Sequence, residues 1–111
     1  MLKLADEGVI YARVSSAKQM KEGNGLQSQI SSCKHFAKEN EIKVIRVFED
    51  PAKSGKNTIR PGLTALLDFL EKRKEFIYVI IDDIARLSRN ITEYYPLKAL
   101  IQDRKGILKD L

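Results

Sequence analysis

Phe76-Ile77-Tyr78-Val79-Ile80-Ile81-Asp82 is an unbroken run of six apolar or aromatic residues that stops at an acid. A strand with one wet face alternates apolar with polar; a strand covered on both faces does not. The run therefore predicts a central strand of a sheet with helices on both sides. Upstream, Leu63, Leu66, Leu67 and Leu70 keep helical spacing to about residue 74, and Pro61 suits the first turn of that helix. Further back lie an apolar strand at about 43–49 (Val44, Ile45, Val47, Phe48) and a helix at about 26–40. Its stripe is Leu26, Ile30, Cys33 and Ala37, with Phe36 beside it. The first strand, at about 8–14, holds Val9-Ile10-Tyr11. Downstream of the central run a last helix is expected at about 92–105, with Pro96 in its first turn or else at a kink. Gly106 reads as its stop, and Ile107-Leu108 as the start of a fourth strand. The order predicts an α/β three-layer sandwich: a mostly parallel, Rossmann-like sheet with right-handed crossovers.

The 111 residues suffice for one domain. Hydrophobic residues at 43% and charged residues at 32% argue against disorder. No apolar stretch is long enough to span a membrane, and no leader directs the chain out of the cytoplasm. Cys33 has no disulfide partner, and with His35 supplies too few ligands for zinc. His35 lies mid-helix, away from the strand ends, which argues against a Ser-His-Asp hydrolase. Neither a Walker A nor a G-x-G-x-x-G pattern is present, nor a Cys-x₅-Arg loop. No cofactor is expected. The net charge of +5 favours a polyanionic partner.

In a parallel sheet ligands sit beyond the carboxyl ends of the strands. That selects residues 12–25, 50–62 and 83–92. They carry eight bases (Arg13, Lys18, Lys21, Lys53, Lys56, Arg60, Arg86, Arg89) against three acids (Glu22, Asp50, Asp83). One edge is expected to be basic, with Lys18, Lys53 and Lys56 meeting phosphate backbone. Arg13 and Ser15 share a face if the strand persists, and a hydroxyl beside a guanidinium suits attack on a phosphate. Arg86 and Arg89, three apart with Leu87 turned inward as an anchor, suit bidentate grip of a phosphate. Arg60 closes the 50–62 loop at a helix start. Gln19 and Gln29 are weaker signals; Gln29, in a first helical turn, can reach back toward Ser15. Each of these features has a plain alternative as a solvated loop residue. Cys33 reads as core.

Taken together, Tyr11-Ala12-Arg13-Val14-Ser15-Ser16, Gln19, Leu26-Gln27-Ser28-Gln29, Asp50, Ser54-Gly55, Arg60-Pro61-Gly62-Leu63 and Arg86-Leu87-Ser88-Arg89 resemble the catalytic domain of serine recombinases. This is the resolvase/invertase family, with the large serine integrases and transposases. The resemblance covers about residues 8–108. It implies Ser15 as nucleophile, active-site arginines at Arg13, Arg60, Arg86 and Arg89, and glutamines at Gln19 and Gln29. Many members read Asp-Arg-Leu-x-Arg, but Ala85 precedes Arg86 here. The nearest acids are Asp82 and Asp83, and Asp83 is the expected stand-in. The resemblance also implies a bacterial, nucleoid-associated or mobile-element protein acting on double-stranded DNA as a homodimer and tetramer. Against that pattern the chain reads as C-terminally truncated, without the DNA-binding region. The implied chemistry is metal-free transesterification through a 5′-phosphoserine. Two other classes compete: a receiver-like signalling domain, which would need acids after the first strand where Arg13-Val14-Ser15 stands, and a non-catalytic nucleic-acid-binding module. Loops 16–25 and 50–60, poor in apolar anchors, are expected to be mobile.

Overall fold

The computed structural model describes residues 4–14, 25–51 and 60–111. Strand β1 (Glu7–Arg13) leads to helix α1 (Leu26–Glu39), then β2 (Lys43–Asp50) and α2 (Pro61–Arg73). Strand β3 (Ile77–Ile81) is followed by a 3₁₀ turn (Ile84–Arg86), helix α3 (Ile91–Asp103) and strand β4 (Gly106–Asp110). The sheet order is β2-β1-β3-β4, and every neighbouring pair is parallel.

The apolar runs take the two central places. All five residues of β3 are buried, and Val9 to Ala12 of β1 have no exposed surface. Strand alternation then sends neighbouring residues into different layers. Ile10, Ala12, Tyr78 and Ile80 meet Ile30, Cys33 and Ala37 of α1 on one face. Val9, Tyr11, Ile77, Val79 and Ile81 meet Leu63, Leu66 and Leu70 of α2 and Ile101 of α3 on the other. An uninterrupted apolar strand is what two such layers require. The three-layer α/β expectation is what the fold is. Among the described residues no helix is long and apolar enough to cross a membrane.

Two local expectations need correction. Pro96 lies in the second turn of α3, not the first. The Thr92 carbonyl, four residues back, loses its helical donor there, and Thr92 is exposed, so water can replace it. The stop of α3 is not Gly106 but Lys105, whose φ of 65° turns the chain through the left-handed region. Gly106 is needed for another reason: a Cβ there would meet the Ile101 carbonyl oxygen at 2.9 Å. The fourth strand does form, paired with β3 from Ile77↔Gly106 to Ile81↔Asp110.

Candidate active site

The chain leaves β1 toward one side of the sheet and later places β3 on the other side of β1. The strand order reverses between them, and in open α/β sheets such a switch point is where the ligand crevice lies, beyond the carboxyl ends of the strands. Alternation along β1 puts Arg13 on the side of Val9 and Tyr11. Its backbone is fixed from two elements. The buried Gln29 amide, in the first turn of α1, accepts from the Arg13 N–H (3.0 Å) and donates to the Arg13 carbonyl (3.0 Å). Arg86 Nη1 donates to the same carbonyl at 3.2 Å. Gln29, a weak signal in the sequence, is thus a clamp at the end of β1.

Beneath Arg13 lies a network centred on Asp50, a motif residue to which the sequence reading assigned no role. Asp50, at the end of β2 and 5% exposed, accepts from the N–H groups of Gly62 (2.7 Å) and Leu63 (3.0 Å). It caps α2 from outside the helix, where the Arg60 side chain gives no cap. Asp50 also accepts from the Tyr11 hydroxyl at 2.5 Å. That hydroxyl in turn accepts from Arg60 Nε (3.3 Å) and Nη2 (3.0 Å). Burial first, and the Asp50 hydrogen bond second, push the Tyr11 phenol well above its ordinary value, so it is no nucleophile. The signal available in sequence was the pairing of an acid and a tyrosine at adjacent strand ends.

Arg60 spans the crevice floor. Its Nη1 donates to the Leu87 carbonyl (2.5 Å) and its Nη2 to the Arg86 carbonyl (2.6 Å). Arg60 therefore ties the start of α2 to the Arg86-Leu87-Ser88-Arg89 turn. Leu87 is fully buried, as the inward anchor was expected to be. The Ser88 hydroxyl accepts from Asn90 N–H at 3.0 Å and lies 3.3 Å from Glu93 Oε2, which fixes the turn against α3. Arg89 is exposed beside it. Burial, then repulsion from Arg60 and Arg89, lowers the Arg13 pKa from its ordinary value. An anion entering here would relieve that repulsion.

The carboxylate opposite Arg86 is Asp82, not the expected Asp83. Arg86 Nε donates to Asp82 Oδ1 at 2.6 Å, with Nη2 3.4 Å from Oδ2. Asp83 instead caps the 3₁₀ turn by accepting from Ala85 N–H at 2.8 Å. Both acids lie in the bend that follows β3, and of the two it is Asp82 that reaches the Arg86 guanidinium. Cys33 lies under this pair in the core, and burial, then the Asp82 charge, push its thiol up to about 12. His35 is exposed and pairs with Glu39 along α1. Ser15, Ser16, Lys18, Gln19, Lys53 and Lys56, and most of the two loops expected to be mobile (16–24 and 52–59), lie outside the described residues.

Arg13, Arg60, Arg86 and Arg89 thus gather at one strand edge, the edge from which β1 runs on into Ser15. A family model described as "Resolvase, N terminal domain" matches residues 8–109. A search of the curated proteins returns no match. Among solved structures, the C-terminal catalytic domain of ISC1926 TnpA, an IS607-like serine recombinase, is 33% identical with a TM-score of 0.76. That match covers 94% of this chain and 68% of the other. The N-terminal catalytic domain of TP901-1 integrase is 25% identical, TM-score 0.75, covering 95% and 76%. A resolvase family site-specific recombinase from Streptococcus pneumoniae is 26% identical, TM-score 0.78, covering 94% and 70%.

Proposed function

This chain belongs to the resolvase N-terminal domain family, and from that premise we propose that Ser15 is the nucleophile with which it cleaves and rejoins double-stranded DNA. The domain is the catalytic unit of a site-specific recombinase. What supports the assignment to Ser15 is the convergence of four arginines on the end of β1, two residues before that serine. Arg89 is exposed and Arg13 partly exposed, which leaves guanidinium surface within reach of a phosphate.

The step balances without an added reagent. The Ser15 hydroxyl gives up its proton, its oxygen bonds to the scissile phosphorus, the bond from phosphorus to the 3′-oxygen breaks, and the 3′-oxygen takes up one proton in return. A phosphodiester is exchanged for a phosphodiester, so a 3′-hydroxyl reverses the reaction. Arginine remains protonated and its role is to neutralise charge growing on the phosphoryl oxygens. Lys18, Lys53 and Lys56, on the loops flanking the crevice in sequence, supply further backbone contacts, and Gln19 a polar contact near the nucleophile. Exchange between two duplexes cuts four strands, and one nucleophile per chain then calls for four copies. Such a protein works where DNA is, in the cytoplasm. A receiver-like domain does not suit the site, because Arg13 occupies the strand end where that chemistry needs acids for Mg²⁺.

The test is a library of nicked duplexes of random sequence, incubated with full-length protein and resolved after denaturation. We expect a covalent adduct that Ser15→Ala abolishes while DNA binding stays nearly intact, since no positive charge is lost. Ser16→Ala should be much milder. An adduct that survives loss of Ser15 and disappears with Ser16 would reassign the nucleophile; one that survives both would refute the mechanism.

A further inference from the structure

We infer that Asp82 is the positioning residue for Arg86, an inference that rests on the catalytic reading above. Asp82 follows β3 directly, so its backbone is held by the most buried strand of the sheet. Its carboxylate meets Arg86 edge on, through Nε at 2.6 Å and Nη2 at 3.4 Å. The pair is partly withdrawn from solvent, with 13% of the Arg86 side chain and 22% of the Asp82 side chain exposed. At that burial a charged hydrogen bond sets orientation far more firmly than at an open surface.

The donor count explains what the orientation achieves. A guanidinium has five N–H groups; two go to Asp82 and one to the Arg13 carbonyl, leaving one on each terminal nitrogen. Those two are the donors that can take a phosphate as a fork. Asp82 thus decides which edge of Arg86 is consumed by the protein and which is offered to the substrate. Through the Arg13 carbonyl the same guanidinium also registers the end of β1, two residues before Ser15. Without the carboxylate, Arg86 would keep only its bond to the Arg13 carbonyl, and its guanidinium would be free to turn about it. Asp83 does not take this place: its Oδ1 accepts from the Ala85 N–H in capping the 3₁₀ turn, and Arg86 donates to Asp82 instead.

The experiment measures the rate of adduct formation by full-length protein on the nicked-duplex library. Gel shift on the same duplexes reports binding. Asp82→Asn keeps an acceptor for Nε and removes the charge; adduct formation should slow by about tenfold. Asp82→Ala should slow it by about a hundredfold, the scale of a misplacement near 1 Å. DNA affinity should change by less than about threefold in both, since positive charge is retained. Asp83→Asn should remain near wild type, because asparagine caps a turn as well as aspartate does. The decisive comparison is a double-mutant cycle. In an Arg86→Ala background, Asp82→Asn should cause no further loss, because Asp82 acts through Arg86. A merely structural role would add its cost in that background too. The inference is overturned if Asp82→Asn cleaves at the wild-type rate, if Asp83→Asn is the slower variant, or if the losses add. If Asp82→Ala does not fold, the asparagine variant carries the same comparison. A wild-type protein that forms a Ser15 adduct while Asp82→Asn is unaffected defeats this inference alone. A wild type that forms no adduct defeats the nucleophile assignment, and the inference with it.

Discussion

Cys33 is a nucleophile by residue type and a core residue by position. It has no exposed surface, and the Asp82 charge adds to the effect of burial in holding its thiol protonated up to about 12, against an ordinary value of 9.0. Between those two values the unfolded chain binds fewer protons than the folded one. Stability therefore falls as pH rises through that window, and the Cys33 contribution is complete only below about pH 9. Unfolding free energies from urea titrations under reducing conditions should decline from pH 8 to 10, by up to about 1 kcal/mol per pH unit. The decline should be weaker in Cys33→Ala. Native protein should resist iodoacetamide at pH 8 and become labelled in urea; rapid labelling of the folded protein would contradict the placement. The sequence reading of Cys33 as core came from the Leu26/Ile30/Cys33/Ala37 stripe. Gln29, on the same helix, was harder to read, since a buried glutamine differs from a solvated one only by what stands opposite.

At the scale of elements, the start of α2 carries the site. Pro61 opens the helix, and Gly62 follows with its N–H on Asp50. A Cβ at Gly62 would run into the backbone of Glu49, 2.7 Å from its carbonyl carbon and 3.0 Å from the Asp50 carboxyl carbon. Backbone cannot yield as a flexible side chain can. Gly62→Ala should therefore destabilise the domain by about 1–3 kcal/mol, the usual cost of overpacking. Because Asp50 also holds Tyr11, and Tyr11 meets Arg60, adduct formation should fall as well. Equilibrium urea unfolding measures the first effect; a variant as stable as wild type would show that α2 can retreat from β2. The helix itself was legible from its leucines. Its cap was not, because the capping acid comes from the preceding strand across a long loop. The αβ turns were likewise obscure. Glu41, Lys74 and Lys105 all adopt positive φ, a conformation usually signalled by glycine.

Over the whole molecule the basic edge is a property of topology. Parallel strands send all their carboxyl ends to one side, so Arg13, Arg60, Arg86 and Arg89 collect there although they span much of the sequence. Such an edge should bind duplex DNA weakly and without sequence preference when residues 1–111 are tested alone. Affinity should fall with salt at a slope near −0.9 per phosphate neutralised, so about −4 for four contacts. Arg89→Ala should flatten that slope by about one, as loss of one phosphate contact does. Titrations at several salt concentrations on two unrelated duplexes measure both quantities. Tight, salt-resistant preference for one duplex would be incompatible with backbone contacts as the main source of affinity.

By itself the sequence determined the layering, because a strand buried on both faces must be apolar throughout, and Ile77 to Ile81 are, while Phe76 stays outside the strand and exposed. It also determined which residue types arrive at the strand ends, since alternation and chain order place Arg13, Arg60, Arg86 and Arg89 there. Only the tertiary structure decided how those charges are paired. Asp82 and Asp83 are equivalent acids along the chain, but the bend after β3 gives them different partners. One meets Arg86 and the other caps a turn. Asp50, Tyr11 and Arg60 come from three separate segments, and hydrogen bonds between such segments depend on distances set by packing of the sheet against α2. Local patterns carry no record of those distances.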